Sequence, residues 1–271
     1  DHVGTAAVAF RDLSGSLARL PLAAVLALSD IQGKYRRTIL GPLWIAIGQA
    51  ATVGGFVLVF SGLFNTPPAT YAVYLAAGIP VWALFSQFLS DMPNTFIAAR
   101  GVIESYELPW LTHIWRRSIG YVLTFLHHIV TLFAVMAILA ANGQLSEPPT
   151  WNMLLAVPAL AILLVAGTGA GMLLAVLGAR YRDLQPAMQV VASFLFLFTP
   201  VMWHADRLGP GLAWTYQFNP LYYYVALVRD PLLGEAPAPE LWLGAAGGAA
   251  LIFAVGFLAF LLGRRRLYHW L

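Results

Sequence analysis

Two short cationic clusters border apolar segments, and their side chains suit the binding of phosphate groups. The first is Lys34 with Arg36 and Arg37, directly before a long apolar run. The second is Arg180 with Arg182, in the stretch ARYRDL between two further apolar runs. Arginine can form two parallel hydrogen bonds with a phosphate, and lysine adds a point charge. Plain anchoring at a membrane surface would explain the same clusters, so both interpretations stay open.

Several kinds of catalytic chemistry are missing from the sequence. It has no cysteine, which excludes disulfides and cysteine-based metal or redox sites. It has no G-x-x-x-x-G-K-[ST] loop, with which ATPases hold nucleotide phosphates. The tripeptide HAD at 204–206 offers only two metal ligands, and a helix cap is the better interpretation of Asp206. We therefore predict a non-enzymatic chain that binds no metal and no cofactor, with any ATP hydrolysis on a separate subunit.

Composition places the chain in a membrane. Of its 271 residues, 60% are hydrophobic and only 10% are charged, against about 25% charged in an average soluble domain. The net charge of +3 is too small to indicate a nucleic-acid partner. We predict an all-α integral membrane protein in which residues 1–271 form a single transmembrane domain.

Charge-free runs locate six predicted spans, which together cover residues 39–263. The predicted spans are Ile39–Phe64, Tyr71–Ser90, Ser118–Asn142, Trp151–Ala179, Pro186–Trp203 and Leu241–Gly263. With six spans, thirteen of the fifteen cationic residues fall on the side of the two termini, and only Arg207 and Arg229 fall on the other. Cations concentrate on the cytoplasmic side of membrane proteins, so both termini are predicted to be cytoplasmic.

Two segments outside the spans are predicted to lie at the membrane surfaces. Residues 14–37 are apolar but interrupted by charges, which favours a helix in the cytoplasmic interface. The outer segment 204–240 contains LYYYVALV, a run too short to cross a bilayer. Asn219 can cap a helix there and Pro220 suits its first turn. Pro231 disfavours continuing the helix beyond Asp230. We predict short re-entrant or interfacial helices in this outer segment, with an apolar face and a hydrated end at Arg229 and Asp230.

Two further patterns are predicted to serve packing. His127 and His128 lie in the third span, where an ionisable group is a functional candidate. Because no carboxylate lies within any span to relay protons, we expect neutral histidines satisfied by a neighbouring helix. Paired glycines four residues apart occur in the fourth and sixth spans, at 167 and 171 and at 244 and 248. Such pairs permit close helix contact.

Several stretches in this order resemble the polysaccharide-exporting ABC transporter permeases, the Wzm-like and KpsM-like membrane subunits. They are SDIQGKYRRTILGPLW, YELP, LTFLHHIV, ARYRDL and NPLYYYVALVRDPLLG. The resemblance implies a bacterial inner-membrane homodimer that forms a channel, with one separate ATPase subunit, carrying ATP and Mg²⁺, bound to each copy. It implies a polysaccharide substrate, O-antigen-like or capsule-like, on a polyprenyl diphosphate lipid. This sequence departs from the family pattern beside YELP: family members often carry lysines just before this element, whereas Glu104 and Glu107 stand near it here.

The resemblance also implies roles for individual residues. The diphosphate would contact Lys34, Arg36, Arg37, Arg180 and Arg182. The ATPase would contact a coupling segment with Arg100, Val102, Ile103, Glu104, Tyr106 and Glu107. Aromatic rings stack on sugar C–H groups, so the channel and its outer gate would use Trp82, Phe85, Phe194, Phe198, Tyr222, Tyr223 and Tyr224.

Other functions compete with this interpretation. A permease for teichoic acids or small hydrophobic molecules is the nearest alternative. A proton-coupled secondary carrier or a membrane transferase would need carboxylates or a catalytic cluster that the spans lack.

Overall fold

The computed structural model describes residues 2–205 and 209–270, and all regular elements within those ranges are helices. The α-helices are α1 (His2–Ala18), α2 (Leu20–Lys34), α3 (Leu43–Leu63), α4 (Pro68–Ser90), α5 (Thr95–Ala98), α6 (Arg100–Ser105), α7 (Leu111–Ala141), α8 (Ala156–Arg180), α9 (Leu184–Phe198), α10 (Trp214–Gln217), α11 (Pro220–Leu232), α12 (Pro239–Gly263) and α13 (Leu267–Trp270). Short 3₁₀ segments are Met92–Asn94, Trp151–Leu155 and Pro210–Leu212.

Helix α4 forms the centre of the bundle. Every residue from Tyr74 to Trp82 is buried, and α3, α7, α8, α9 and α11 all pack against this helix. By contrast, α3 buries only Gln49 and Val53 within the chain. A helix that is apolar all round belongs either in a protein core or against lipid. The structure therefore assigns α4 to the core and leaves most of α3 exposed.

The bundle has two ends of different character. The arginine-rich end carries α1, α2, the connection 91–110, the turn 181–183 and α13. The opposite end carries the turn 64–67, the loop 142–155, the bend at 199–205, the segment 209–219 and the turn 233–238.

Within residues 2–205 and 209–270, five helical segments are long and apolar enough to cross a bilayer, by length and composition, or six if the bent pair α1 and α2 is counted as one span. They are Leu43–Leu63, Pro68–Ser105, Leu111–Ala141, Trp151–Arg180 and Pro239–Gly263. The predicted fifth span, Pro186–Trp203, is the exception, because α9 has only 15 residues and ends at Phe198. A 15-residue helix is about 22 Å long, whereas the hydrocarbon core is about 30 Å thick. The six-span prediction thus holds for five spans by this measure.

The predicted interfacial helix over residues 14–37 is wrong in its boundaries. Helix α1 ends at Ala18 and α2 starts at Leu20, and the two are bent by 66°. Asp12, on α1, accepts hydrogen bonds from the backbone N–H groups of Trp110 (3.2 Å) and Leu111 (3.1 Å) and from Nε of Arg264 (3.1 Å). This carboxylate caps α7 and joins the two termini of the chain, so α1 is part of the fold.

The closest helix crossing joins α8 to α12 and uses glycines outside the predicted pairs. A methyl group on Gly256 would overlap the carbonyl of Gly169, and one on Gly169 would overlap the backbone at Phe253. Of the predicted glycines, Gly167 faces the ring of Phe88, whereas Gly244 has open space beside it. Spacing alone indicated close packing correctly for α8 but did not identify the residues at the crossing.

Helix α11 confirms the predicted short helix and part of its chemistry. The Asn219 side chain accepts a hydrogen bond from the Leu221 N–H (3.0 Å), and the predicted apolar face is buried. Two details of the prediction are wrong. The helix continues through Pro231, and Arg229 is buried instead of hydrated. The predicted cap at Asp206 and the cation Arg207 lie outside the described residues.

Candidate functional site

The first cationic cluster is an exposed turn at the arginine-rich end. Lys34 ends α2, and Arg36 and Arg37 follow it in the turn before α3, all three exposed. Arg37 has a positive φ of 70°, a conformation uncommon for a side-chain-bearing residue. The amine and guanidinium groups of this turn are open to solvent.

The second cluster is held by aromatic rings and is separate from the first. The Arg180 guanidinium carbon lies 5.0 Å from the Tyr181 ring centroid and 5.6 Å from that of Trp270. Arg182 lines a cavity of about 210 Å³ together with Pro93 and Gln185. Lys34 ends α2, which packs on α1 and α7, whereas Arg180 ends α8, which packs on α12. The two clusters therefore follow helices that pack against different partners.

The predicted coupling segment forms a short surface helix with a buried anchor. In α6, Ile103 is buried and Val102 is partly buried. Arg100 Nε donates to Glu104 Oε1 at 2.7 Å, and both side chains are more than half exposed. Tyr106 and Glu107 follow in extended backbone and are exposed as well. The segment thus presents a fixed polar surface with one prominent ring, as a docking element requires.

The predicted channel aromatics divide into two sets. Trp82 and Phe85 are buried in α4, where the Trp82 ring lies 5.5 Å from that of Phe196 on α9. Phe194 and Phe198 are exposed on the outer side of α9. The buried pair packs α9 on α4, and the exposed pair is available to lipid, to a second chain or to a substrate.

The tyrosines of α11 join a longer row of rings at the opposite end. Tyr222 lies 5.2 Å from Tyr223 and 5.1 Å from Tyr216, which in turn is 6.3 Å from Trp203. Tyr224 instead points inward, and its hydroxyl donates to the carbonyl of Ala245 on α12 at 3.1 Å. The adjacent tyrosines therefore have different surroundings: Tyr224 fixes the helix, whereas Tyr222 and Tyr223 belong to a partly exposed aromatic row.

Sequence reasoning missed the polar cluster that fixes this end of the bundle. Arg229 Nη1 donates to the Tyr74 hydroxyl (2.9 Å) and to the carbonyl of Pro200 (2.7 Å), and its guanidinium forms an ion pair with Asp230 (3.0 Å). The Tyr74 hydroxyl donates to the carbonyl of Trp203 at 2.9 Å. One signal in the sequence could have indicated this cluster, namely an arginine at the end of the apolar run LYYYVALV. A chain that bends after a helix leaves carbonyls without helical partners, and a buried arginine can satisfy them.

A cavity of about 290 Å³ lies beside this cluster, between α4, α7, α11 and the loop 142–155. Its polar lining includes Glu147, His204, Asp230 and Glu235. Burial raises the pKa of the Glu235 carboxyl; the negative charge of Asp230 adds to the rise, and Arg229 opposes it. The cavity is therefore a polar recess whose carboxylates repel one another.

The surroundings of the two histidines of α7 differ from those predicted. His127 Nδ1 lies 2.7 Å from the Leu123 carbonyl of its own helix, so a neighbouring helix is not its partner. His128 Nδ1 is buried and has no hydrogen-bond partner among residues 2–205 and 209–270. The contact of His127 is local, and it indicates no proton path along the helix.

Replacing Asn219 with alanine is expected to destabilise the isolated protein by about 1–2 kcal/mol. Asn219 caps α11 and also donates to the Thr199 hydroxyl at 2.8 Å, which ties the helix to the bend after α9. Asn219→Asp keeps the cap and should lose less. Thermal unfolding of the purified protein measures both changes, with exposed Asn142→Ala as the matched control. An equal loss in Asn142→Ala would contradict a special role for Asn219.

The comparisons with known proteins agree with a bundle of apolar helices that carries charged residues at its ends. Residues 22–233 match the family model described as ABC-2 type transporter. The chain belongs to this family, and it is a multi-pass membrane component of a transporter.

Individual relatives indicate which members of this family the chain is similar to. The chain is 22% identical over 214 residues to the "O-antigen export system permease protein RfbA" of Klebsiella pneumoniae, covering 77% of this chain and 79% of the relative. It is 22% identical over 215 residues to the "Polysialic acid transport protein KpsM" of Escherichia coli, covering 77% and 80%. A protein of Myxococcus xanthus that is also named "O-antigen export system permease protein RfbA" is 24% identical over 179 residues, covering 66% of each chain.

Proposed function

We propose that this chain is the membrane subunit of an ATP-driven exporter that moves a lipid-linked polysaccharide across a bacterial inner membrane. One observation supports this most strongly: the chain belongs to the ABC-2 family over residues 22–233, and the relatives above are named for O-antigen export or for polysialic acid transport. ATP and Mg²⁺ are bound by a separate ATPase subunit, one for each copy of the permease. The nearest alternative substrates are teichoic acids and small hydrophobic molecules.

In this proposal the arginine-rich end is cytoplasmic and α9 completes a sixth crossing. Gln185, at the start of α9, shares a cavity with Pro93 at the arginine-rich end. Pro200, just after α9, accepts a hydrogen bond from Arg229 beside Tyr74. From Tyr74 to Pro93 the chain rises by about 28 Å at 1.5 Å per residue. Helix α9 and the bend after it therefore cover nearly the depth of the hydrocarbon core.

The polysaccharide path lies on the face formed by α3 and α9, against a second copy of the chain. Both helices flank the buried α4 and leave most of their own apolar surface exposed. A sugar polymer needs hydrogen-bonding or aromatic contacts, because its hydroxyls are costly to bury in hydrocarbon. Phe194 and Phe198 supply aromatic surface on α9, and the row from Trp203 to Tyr223 supplies it at the outer exit. The exposed cations near α3 and after α8 bind the lipid diphosphate at the entry.

The ATPase docks on α6 and the extended residues after it. If so, Tyr106→Ala should weaken binding of the ATPase by about thirtyfold, as expected for truncation of an interface hot spot worth about 2 kcal/mol. Folding should be unaffected, because the Tyr106 side chain is exposed. Co-purification of tagged permease with its co-expressed ATPase measures the effect.

Trp151→Ala is the matched control for this experiment, because Trp151 is also an exposed ring but lies at the opposite end. It should leave the complex intact. Failure of the unmodified chain to bind any ATPase would refute the proposed function. Normal binding by Tyr106→Ala would refute only this docking surface. A deletion strain should also retain lipid-linked polymer in the cytoplasm and lose it from the cell surface.

A further inference from the structure

The last helix of the described chain, α13, presents a cationic surface at the arginine-rich end. Arg265 and Arg266, in the turn before this helix, are exposed, and Tyr268 within it is 62% exposed. Leu267 lies between them and is fully buried, and α13 packs on α8. The surface therefore consists of two guanidinium groups and one aromatic ring beside a buried anchor.

Aromatic contacts hold α13 in one position. The Tyr268 ring centroid lies 4.8 Å from that of Trp110, with the two ring planes at 89°. At the other end of the helix, the Trp270 ring centroid lies 5.6 Å from the guanidinium carbon of Arg180. Helix α13 is thereby attached both to the residue before α7 and to the last residue of α8. A surface that is fixed in advance loses little conformational freedom when a partner binds.

This surface borders the segment that is proposed above to bind the ATPase. Tyr106 is four residues before Trp110, so at most about 14 Å of chain separates their α-carbons. Tyr268 packs on the ring of Trp110, and only 1% of Trp110 is exposed. An interface of standard size extends over about 800 Å² on each partner. One partner can therefore contact Tyr106 and Tyr268 at the same time.

The proposed docking segment is too small to form a stable interface by itself. It comprises residues 100–107, eight in all, of which Ile103 is buried, whereas an interface of standard size uses about 20–30 residues on each side. Its ionic groups nearly cancel, because Arg100 pairs with Glu104 and only Glu107 is left over. The neighbouring surface at α13 supplies both further area and the positive charge that the docking segment lacks.

We propose that α13 and the turn before it form a second contact surface for the ATPase subunit. The ring of Tyr268 packs on the partner, and Arg265 and Arg266 face acidic side chains of the partner. This role rests on the proposed function, because it requires an ATPase. Complementary charges speed association and select the correct partner, so the surface fits an ATPase whose facing patch is acidic. Two separate contacts also fix the orientation of the ATPase, whereas one short helix leaves it free to rotate.

The test measures how tightly the ATPase that co-purifies with the unmodified chain binds to purified variants in neutral detergent. Arg265→Gln combined with Arg266→Gln should weaken binding about tenfold at low salt, because two charge pairs are lost. The difference from the parent should shrink as salt is added, because ions screen exposed charges. Loss of a merely structural contact would not depend on salt in this way. Equal affinities of parent and variant at low salt would overturn the proposal.

Arg11→Gln combined with Arg19→Gln is the matched control. Both residues are exposed, on α1 and at the break between α1 and α2, so the variant loses the same charge at the same end of the bundle. It should bind the ATPase as tightly as the parent at every salt concentration. A loss equal to that of the Arg265 and Arg266 variant would indicate general attraction by positive charge and would overturn the surface.

Two replacements of Tyr268 test the aromatic contact. Tyr268→Ala should weaken binding of the ATPase about tenfold, as truncation of an aromatic interface residue often does. Tyr268→Phe keeps the ring and should bind nearly as well as the parent. Thermal unfolding of both variants is measured alongside, because Tyr268 also packs on Trp110. Normal binding by Tyr268→Ala would refute the role of the ring, and the arginine variant tests the surface independently of any loss of stability.

Nanodiscs distinguish contact with the ATPase from contact with lipid headgroups. If Arg265 and Arg266 bind the ATPase, their replacement should weaken binding equally in discs of phosphatidylcholine alone and in discs with added phosphatidylglycerol. A loss that appears only with phosphatidylglycerol would assign the two arginines to anionic lipid and overturn the proposal. Failure of the unmodified chain to bind any ATPase would refute the proposed function itself. Normal binding by both the parent and the arginine variant would refute only the surface at α13.

Discussion

Replacing Gly256 with alanine is expected to be the most damaging single-methyl change in the described chain. The added methyl would overlap the carbonyl of Gly169 on the facing helix. That obstacle is backbone and cannot rotate away, so α8 and α12 must separate along their longest contact. Overpacking typically costs 1–3 kcal/mol and occasionally more, and we expect about 3 kcal/mol here. The thermal midpoint and the yield of folded protein in detergent measure the effect.

The matched control lies three turns earlier in the same helix. Gly244 has no neighbouring atom within reach of an added methyl group, and alanine is a better helix former than glycine. Gly244→Ala should therefore leave the midpoint unchanged or raise it slightly. If Gly256→Ala behaved in the same way, the α8–α12 crossing would be wrong.

Replacing Arg229 with methionine is expected to destabilise the protein by about 3 kcal/mol and to abolish export. The change removes the hydrogen bonds to Tyr74 and Pro200 and leaves the Asp230 carboxylate without its ion pair. The bend after α9 then loses its link to α4 and α11. Thermal unfolding of the purified protein and surface glycan in a complemented deletion strain measure the two effects.

Two variants separate the charge of Arg229 from its geometry. Arg229→Lys keeps the charge but cannot reproduce the two-pronged donors, so its loss should be intermediate. Tyr74→Phe removes only the hydroxyl that links Arg229 to the carbonyl of Trp203 and should cost about 1–2 kcal/mol. Arg11→Met, at an exposed position, should change neither stability nor export. A stable and active Arg229→Met variant would show that the cluster is dispensable.

The sequence by itself determined the class of protein and most of its helices. Long charge-free runs require membrane-spanning helices, because no other single-segment structure satisfies its backbone in hydrocarbon. Five of the predicted spans and the capped helix at Pro220 follow from such local rules. The family resemblance also came from short motifs, and the family comparison confirms it over residues 22–233.

Tertiary structure decided which residues meet, because contacts between distant segments leave no local pattern. From the sequence, Arg229 resembles a residue at a hydrated helix end, yet it is buried, and the Tyr74 hydroxyl and the Pro200 carbonyl of distant elements accept its hydrogen bonds. The glycine spacing indicated close packing, but the rotation of α12 selected Gly256 over Gly244. Asp12 on α1 likewise caps α7 from about a hundred residues away, which no local pattern indicates. Periodicity and composition fix elements one at a time, whereas these contacts depend on how the elements are placed against one another.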